Sequence, residues 1–429
     1  SQEIINDTLQ TTRQDLDEVI VKGIRAKFSS PISFTNVDKQ DLKSKNLGQD
    51  LPILLNFLPS VVTTSDAGAG IGYTGIRIRG VSPQSTNITI NGIPFNDPES
   101  MGTFWVNLPD FSSSIESLQV QRGVGTSTNG SGAFGASINI LTDIVSDEPF
   151  AELSSSFGSY NTLKNTIKFS TGKINDHFEL SGRLSKIDSD GYVDRAYSDL
   201  KSYFIQGAYT NGSTLIKAIS FGGHEKTYQA WYGLSMDQVE ENRRQNPYTY
   251  ENEIDNYKQD HFQLHWNEKI NNYWSFNLGL NYTDGRGYFE QYKEDDDINT
   301  YGGIVKSDID SNGQETGTTD LIRRRWLDND FYVLNSSINY IKDKIDLTLS
   351  SSYSSYVGDH YGEVIWARSL SNIGEIRDRY YEGLGEKKDL SFFAKLLYSI
   401  NKKTELYTDI QFRGIKYNTS GITSDLINM

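Results

Sequence analysis

The sequence predicts a small α+β domain followed by a long antiparallel sheet of the transmembrane β-barrel type. From about residue 150 onward, apolar and polar residues alternate in segments of about ten, which is typical of barrel strands. Short polar turns alternate with long connections between these segments. Before them, glycines separate short β runs between Gly75 and Thr142, as in a compact domain with tight turns.

The composition agrees with a barrel and narrows the function classes. The chain has 429 residues, a hydrophobic fraction of only 36% and 26 Tyr. A barrel accounts for these values, because its lumen face is polar and its tyrosines collect at the membrane interfaces. The sequence has no run of about 18 apolar residues that would form a spanning helix. The net charge of −15 disfavours nucleic-acid binding, and the absence of cysteine excludes disulfides.

The first domain is predicted to contain two short helices and four strands. The helices are predicted at 39–42 and 49–55, where leucines recur at helical spacing. The strands are predicted at 76–79, 88–90, 115–121 and 137–141. The segments 70–75 and 130–135 fit the pattern G-x-G-x-x-G, but strands follow them rather than helices. We therefore interpret their glycines as turn residues and not as a dinucleotide site.

The same segments carry a resemblance to a known family. The pieces IRIRG (76–80), NGIP (91–94), IESLQVQRG (115–123) and GSGAFGASINI (130–140) resemble, in this order, the plug domain of TonB-dependent outer-membrane receptors. The resemblance implies a plug at 24–146 inside a transmembrane barrel at 147–429. It also implies an active transporter in the outer membrane of a Gram-negative bacterium, without enzymatic activity or a cofactor.

The resemblance further implies partners. These are outer-membrane lipid, a TonB-type periplasmic energy transducer and a small-molecule or peptide cargo, and a surface lipoprotein or complex partner stays open. In the tail, 1–23, a short extended segment suits pairing by β-strand addition. Its residues match the position of the TonB box: Leu16, Asp17, Glu18, Val19, Ile20 and Val21. An ordinary first strand of the plug is the alternative interpretation.

Charged residues at alternating positions of the plug strands are expected to be buried in the barrel, where charges are normally paired. The resemblance implies that four of them meet carboxylates of the barrel wall and lock or gate the plug: Arg77, Arg79, Glu116 and Arg122.

Two loops are candidates for cargo binding. The loop 95–108 contributes Asp97, Met101, Phe104 and Trp105, whose aromatic rings would otherwise brace the plug against the barrel. The loop 228–250 contributes Trp231, Tyr232, Arg243 and Arg244. These residues could hold an anionic or aromatic chelate, and an interfacial girdle with loop packing is the alternative.

A weaker pattern suggests calcium. Asp308, Asp310 and Asn312 have the spacing of the first ligands of a calcium loop, but the twelfth position is Thr319 rather than glutamate. A solvated acidic loop is the alternative.

The barrel pattern contains roughly eleven strands, whereas a plugged transporter barrel has about 22. Long connections are predicted at 228–254, 284–326 and 357–387, and a soluble sandwich would not explain their alternation with short turns. Because open edges in lipid are not tolerated, we expect an incomplete copy of a longer protein, or completion by a partner.

An iron-siderophore-type chelate is the first cargo hypothesis, with haem, cobalamin or a peptide as alternatives. A non-transporting scaffold, such as an adhesin or assembly-complex subunit, and a passive porin are the competing functions.

Overall fold

The structure is a computed structural model that describes residues 24–27, 32–124 and 134–427. The predicted TonB box, Leu16 to Val21, lies outside the described residues, as does the first part of the second glycine motif, 130–133.

The first domain contains a mixed five-stranded sheet in the order β1-β6-β7-β4-β5. These strands are β1 (Ser33–Asp38), β4 (Thr86–Ile90), β5 (Ile93–Pro94), β6 (Ile115–Arg122) and β7 (Ala136–Thr142), and β2 (Val61–Ser65) pairs separately with β3 (Thr74–Ile78). The β4–β7 pair is parallel and the other pairs of the sheet are antiparallel. The four strands predicted from the sequence are confirmed within a few residues.

Both predicted helices are present, although each is shorter than a full helical segment. Helix α1 is Lys39–Lys43, and its N-cap residue Asp38 accepts a hydrogen bond from the Asp41 N–H. Helix α2 is Leu51–Leu54, with proline in its first turn, where no intrahelical N–H is needed. A third helix, α3 (Met236–Glu241), lies in a later loop. Among the described residues, no helix is both long enough and apolar enough to cross a membrane.

One hydrophobic core joins this domain to the second sheet. Alternate residues of β4, β6 and β7, such as Ile88, Leu118 and Ile138, are almost completely buried, as the period-2 pattern requires. The same cluster includes Phe204 and Phe221 from the following sheet. The first domain is therefore packed against the second sheet through apolar contacts as well as polar ones.

The second sheet has eleven strands, in sequence order and each antiparallel to the next, so the predicted number is confirmed. The strands are β8 (Pro149–Gly158), β9 (Thr162–Thr171), β10 (Phe178–Ser189), β11 (Ser198–Thr210), β12 (Thr214–Tyr228), β13 (Ile254–Lys269), β14 (Trp274–Asp297), β15 (Thr318–Lys342), β16 (Ile345–Ala367), β17 (Arg379–Asn401) and β18 (Thr404–Gly421). In the described residues β8 and β18 are edge strands, so the sheet is an open part of a barrel.

The outward face of this sheet has the pattern expected for contact with lipid. Leu280, Leu334 and Phe412 are exposed there, and they alternate with polar residues that face the first domain. Outward aromatic pairs lie at two levels of β14 and β15, Trp274–Tyr340 and Tyr282–Tyr332. Along β14 the two levels are about 26 Å apart at about 3.3 Å per residue, close to the height of an outer-membrane apolar band.

The two ends of the second sheet differ in the length of the connections between strands. We call the end with the connections 172–177, 211–213, 270–273, 343–344 and 402–403 the turn end, and the opposite end the loop end. The long connection 229–253 agrees with the prediction, but the next two are only 298–317 and 368–378, so their predicted extents are wrong. Beyond Tyr282 the outward positions, beginning with Asp284 and Arg286, are polar. The apolar alternation therefore stops there while the ladder of hydrogen bonds continues.

The second sheet curves around the first domain. Its contacts to that domain come from strands far apart in the order: Thr166 of β9 binds Asp110, Asn335 of β15 binds the Gly92 carbonyl, and Tyr417 of β18 binds Glu99. The first domain therefore lies on the lumen side of the curved sheet.

Candidate functional site

A cavity of about 230 Å³ lies at the loop end, between the 94–107 segment of the first domain and the lumen face of β12–β16. We call it the loop-end cavity. Aromatic residues from both sides form much of its wall: Tyr73, Phe95, Phe104, Tyr257, Tyr288, Phe289, Phe331 and Tyr356. A cavity with aromatic walls and few converging polar groups is typical of a small-molecule site.

Carboxylates lie at one end of this cavity. The Tyr73 hydroxyl donates to the Asp255 carboxylate and lies 3.5 Å from Oε1 of Glu225. The Glu225 Oε2 atom accepts from the Thr227 hydroxyl at 2.7 Å. Burial raises the pKa of the Tyr73 hydroxyl, and the neighbouring charges of Asp255 and Glu225 raise it further. The described contacts of these two acids include no lysine or arginine.

Behind this end of the cavity lies a third acid, the buried Asp50, which precedes α2. Its Oδ2 atom accepts from the Thr74 hydroxyl at 2.9 Å, and its Oδ1 atom has no hydrogen-bond partner in the structure. Burial raises the pKa of Asp50 to about 8, despite hydrogen bonds from Thr74 and the Gly72 backbone that lower it. Buried acids are thus concentrated near the Tyr73 end of the cavity.

The imidazole of His261 lines the same cavity and is only 4% exposed. It stacks on Phe221, with ring centroids 4.6 Å apart, and its Nδ1 atom lies 2.8 Å from the Thr283 hydroxyl. Its Nε2 atom has no hydrogen-bond partner in the structure. A buried polar atom without a partner is costly, so this atom marks a place where a ligand atom would be stabilised.

The loop that covers the cavity, 95–104, is tied to the sheet by Glu99. Its carboxylate accepts from the Tyr356 hydroxyl at 2.9 Å and from the Tyr417 hydroxyl at 2.8 Å, and lies 2.6 Å from Nε2 of His360. Burial raises the pKa of Glu99, but its bonds to His360 and the tyrosines more than offset this and lower the pKa overall. We call this contact the Glu99 latch.

Farther from the cavity, a buried ion pair fastens the first domain to β9 and β10. Oδ1 of Asp110 lies 2.6 Å from the Lys164 ammonium, and its Oδ2 lies 3.5 Å from the Arg183 guanidinium. All of these side chains are almost fully buried. Burial alone would raise the pKa of Asp110, but Arg183 and Lys164 hold it well below its usual range. The backbone also approaches closely here, since a Cβ atom on Gly223 would lie 2.5 Å from the Asn107 carbonyl.

A second fastening contact lies at the end of β7. The Asp143 carboxylate binds Lys168 of β9 at 2.6 Å and Lys39 of α1 at 2.8 Å. Lys39 also binds Glu116 at 3.0 Å. Burial raises the pKa of Asp143, and the two lysines more than offset this and lower it. At these two contacts the plug contributes the carboxylate and the barrel strand contributes the cation, whereas at Lys27–Asp346 and Lys43–Glu152 the plug contributes the cation.

The predicted locking residues do not take part in these two contacts, and their contact with carboxylates of the barrel wall stays a prediction. Arg77 and Arg79 are exposed. Arg122 donates to the Pro59 carbonyl and the Thr35 hydroxyl, and the described partner of Glu116 is Lys39, so these contacts stay within the first domain. The sequence signal for the two contacts that the structure shows is the pair Lys164 and Lys168 on the lumen face of β9, which alternate with outward Leu163 and Ile167.

The predicted cargo-binding residues are divided among several places. Asp97 and Phe104 line the loop-end cavity. Met101 lines a neighbouring cavity of about 190 Å³, which is bordered by serines of β15–β17. Trp105 is 3% exposed and belongs to the hydrophobic core, as the packing alternative predicted. The Oδ1 atom of Asp97 also stabilises its own loop by accepting from the Ser100 N–H.

The residues predicted in the loop 229–253 lie beside the cavity rather than in its lining. Trp231 packs edge-on against Tyr73 and Phe289, and so supports the aromatic wall from behind. Tyr232 stacks on Tyr248, which fits the loop-packing alternative. Arg243 and Arg244 are exposed, and Arg244 pairs with Asp194 at 3.2 Å.

The predicted calcium ligands are engaged with protein groups. Asp308 binds Arg368 at 3.0 Å and accepts from the Thr319 hydroxyl, and Asp310 accepts from the backbone N–H groups of Asn312 and Gln314. A calcium site would not place a guanidinium on a ligand oxygen. Within the described part of the chain, no group of three or more histidines and acids could hold a metal ion.

The sequence did not indicate the most informative residues of the cavity. Glu225, Asp255, Tyr257 and His360 occupy lumen-facing strand positions, where polar residues are expected in any barrel. Glu99 lies in the predicted loop, but nothing in its local sequence indicates partners more than two hundred residues away.

A mixed α+β domain on the lumen side of an open part of a barrel, with a loop-end cavity between them, defines a plugged receptor barrel. The sequence profile of the TonB-dependent Receptor Plug Domain matches residues 26–137. The chain therefore contains a plug domain of the TonB-dependent receptor type, and its described residues add an eleven-stranded sheet of the barrel type.

Similar proteins agree with this assignment. A probable TonB-dependent siderophore receptor, PirA of Acinetobacter baumannii, is 27% identical over 158 residues, which are 34% of this chain and 21% of that protein. The ferrienterobactin receptor of Escherichia coli is 24% identical over 193 residues, 41% of this chain and 26% of that protein. The structure of the ferric-catecholate import receptor Fiu of E. coli superimposes with a TM-score of 0.69 at 14% identity, and covers 92% of this chain and 61% of its own. The chain thus matches about a quarter of the sequence relatives' length.

Proposed function

We propose that the receptor imports a scarce nutrient across the bacterial outer membrane by TonB-dependent active transport, and that its cargo is an iron-siderophore-type chelate. The observation that carries this proposal is the loop-end cavity, whose aromatic and hydrogen-bonding wall is shared between the plug and the barrel strands. The names of the relatives, which include siderophore and ferrienterobactin receptors, support the cargo class.

The geometry suggests how binding would be transmitted. A ligand in the cavity contacts the 94–107 segment of the plug and the barrel wall at once. The Glu99 latch joins the same segment to β16 and β18, so displacement of this segment would break the latch and open the space between plug and wall. The energy would come from a periplasmic TonB-type transducer that pairs with the 16–21 segment.

Transport by strains that carry the full-length receptor, no receptor, or a receptor without residues 16–21 tests this proposal. We expect uptake of one iron chelate to require both the receptor and this segment, with equal amounts of receptor in the membrane. A control deletion of the same length at 2–7 in the tail should leave uptake unchanged. If loss of the receptor has a phenotype but loss of 16–21 has none, active transport is refuted and the non-transporting scaffold replaces it. Haem, cobalamin and a peptide are tested in parallel as alternative cargoes.

A further inference from the structure

We propose that the loop-end cavity selects a cargo that presents a cationic group, such as a protonated amine, to Glu225 and Asp255. This inference rests on the proposed function and specifies its cargo. It implies that the preferred chelate is neutral or positively charged, in contrast to the highly anionic tricatecholates.

The charge of the cavity lining is the first argument. Among the described residues, its lining includes the carboxylates of Asp97, Glu99, Glu225 and Asp255, against a single guanidinium, that of Arg325. The Glu99 charge is already bound by His360 and two tyrosines. The described partners of Glu225 and Asp255 are hydroxyls and, for Asp255, the Asn256 backbone N–H, and none of these groups carries a charge that would neutralise a carboxylate. A cation that entered the cavity would supply the missing charge, whereas a trianion would be repelled.

The aromatic wall is the second argument. Tyr73 and Phe289 stand beside the two carboxylates, and Trp231 fixes both rings by edge-on contacts at 5.3 and 5.5 Å. Aromatic faces attract organic cations, and they do so more strongly when water is excluded. Carboxylates next to fixed aromatic rings are therefore suited to an ammonium or a guanidinium group, but not to another carboxylate or a catecholate.

An independent observation points to a ligand in the same cavity. The His261 side chain is 4% exposed, lines the cavity, and has no partner for Nε2 in the structure. Its ring is held by Phe221 and by Thr283, so the orientation of Nε2 is fixed before a ligand arrives. A polar group of the cargo would satisfy this atom.

The test uses ferric chelates that differ in charge and the full-length receptor in detergent. The central pair is a ferric trihydroxamate with a free terminal amine and the same chelate acetylated at that amine, and a ferric tricatecholate is the third probe. Binding of each is measured by titration calorimetry. We expect the wild-type receptor to bind the amine form at least about tenfold more tightly than the acetylated form, because a buried ion pair contributes about that much or more.

Variants assign this preference to the proposed residues. E225Q combined with D255N should bind both trihydroxamates equally. The single variant D255N, which keeps an acceptor for the Tyr73 hydroxyl, should lose part of the preference and guards against misfolding of the double variant. The matched control is D284N with E386Q, which removes two exposed acids from the outward face of the sheet and should keep the full preference.

Three outcomes would overturn the inference. These are equal binding of the two trihydroxamates by the wild type, tighter binding of the tricatecholate, or an unchanged preference in E225Q/D255N. In each of them a chelate still binds, so the proposed import of iron chelates survives. If no chelate binds or is transported, the proposed function itself fails, and this inference fails with it.

Discussion

The plug meets the barrel strands through buried carboxylates at two kinds of place, which differ in what faces the carboxylate. At the fastening contacts, Asp110 is surrounded by Lys164 and Arg183. At the loop-end cavity, Glu225 and Asp255 face hydroxyls, aromatic rings and open space.

The difference shows how one chemical group can serve two purposes in one interface. A buried charge is costly unless it is paired, so a carboxylate that is paired within the protein holds the two parts together. A carboxylate that is left without a cation weakens the resting structure, but it can be stabilised by a ligand that brings the missing charge. We therefore expect the fastening contacts to control stability and the cavity acids to control binding.

The largest effect is expected when a fastening charge is removed. D110N keeps the size of the side chain, and asparagine tolerates the left-handed backbone at this residue, where φ is 52°. It leaves Lys164 and Arg183 buried without their counterion, and we expect the free energy of unfolding to fall by about 3–5 kcal/mol. Thermal unfolding in detergent measures this loss. A change below about 1 kcal/mol would mean that this ion pair does not fasten the plug.

The next largest effect is expected at Asp50, and it should have the opposite sign to that of D110N: removal of the charge should raise the free energy of unfolding. The pKa of Asp50 rises from 3.8 to about 8 on folding, so the folded state holds a proton that the unfolded state has lost between these values. Stability therefore decreases as the pH rises from about 4 to about 8. D50N removes this penalty, and we expect a gain on the order of 1–3 kcal/mol at pH 8 and little change at pH 4.

Unfolding of wild type and D50N at both pH values checks this prediction. N56D, or a similar exchange of an exposed residue, provides a control for a general effect of pH on the plug. If D50N destabilises the plug at pH 8, Asp50 is not an uncompensated acid and the contrast between the two regions is lost.

The Glu99 latch should give a smaller effect that is confined to one loop. E99Q replaces a charged acceptor of hydrogen bonds from Tyr356 and Tyr417 by an amide, and we expect a loss of about 1–2 kcal/mol. Because the pKa of Glu99 is lowered on folding, its contribution is present above its usual value and is lost as the pH falls below it. Hydrogen exchange of 97–102 should become faster in E99Q, while exchange in β6 and β7 stays the same. Equal acceleration in both regions would contradict a local latch.

The smallest effect is expected at an exposed pair that also joins plug and barrel. Lys43 lies 2.8 Å from Glu152, but both side chains are largely exposed. E152Q should therefore change stability by no more than about 1 kcal/mol, and less at high salt. An effect as large as that of D110N would show that burial is not what distinguishes the fastening contacts.

The sequence was sufficient to predict four strands of the first domain and the number of strands in the second sheet, because period-2 alternation persists wherever one face is buried or in contact with lipid. It did not predict the short strands β1, β2 and β5. It was not sufficient for the ends of the longest strands. In β14, the outward positions from Asp284 onward are no longer apolar, so the alternation of apolar and polar residues ends although the hydrogen-bonded ladder continues.

The sequence also did not predict which residues the charged side chains contact. Arg77 and Lys164 each follow an apolar residue within a strand, yet Arg77 is exposed and Lys164 is buried against Asp110. The rotation of the plug inside the barrel decides which plug charge contacts which barrel charge. No pattern in the neighbouring sequence indicates this rotation. The cavity depends on the same placement, since Glu99 reaches Tyr356 and Tyr417 only in the assembled fold.

The central claim is that the fastening acids and the cavity acids have separate functions. Thermal unfolding of the full-length receptor, with and without the amine-bearing ferric trihydroxamate, tests it most directly in wild type, D110N and E225Q/D255N. We predict that D110N lowers the melting temperature but keeps the increase caused by the chelate. E225Q/D255N should keep or raise the melting temperature and lose that increase. If both variants lose stability and the response to the chelate together, the two sets of carboxylates act as one, and the account is contradicted.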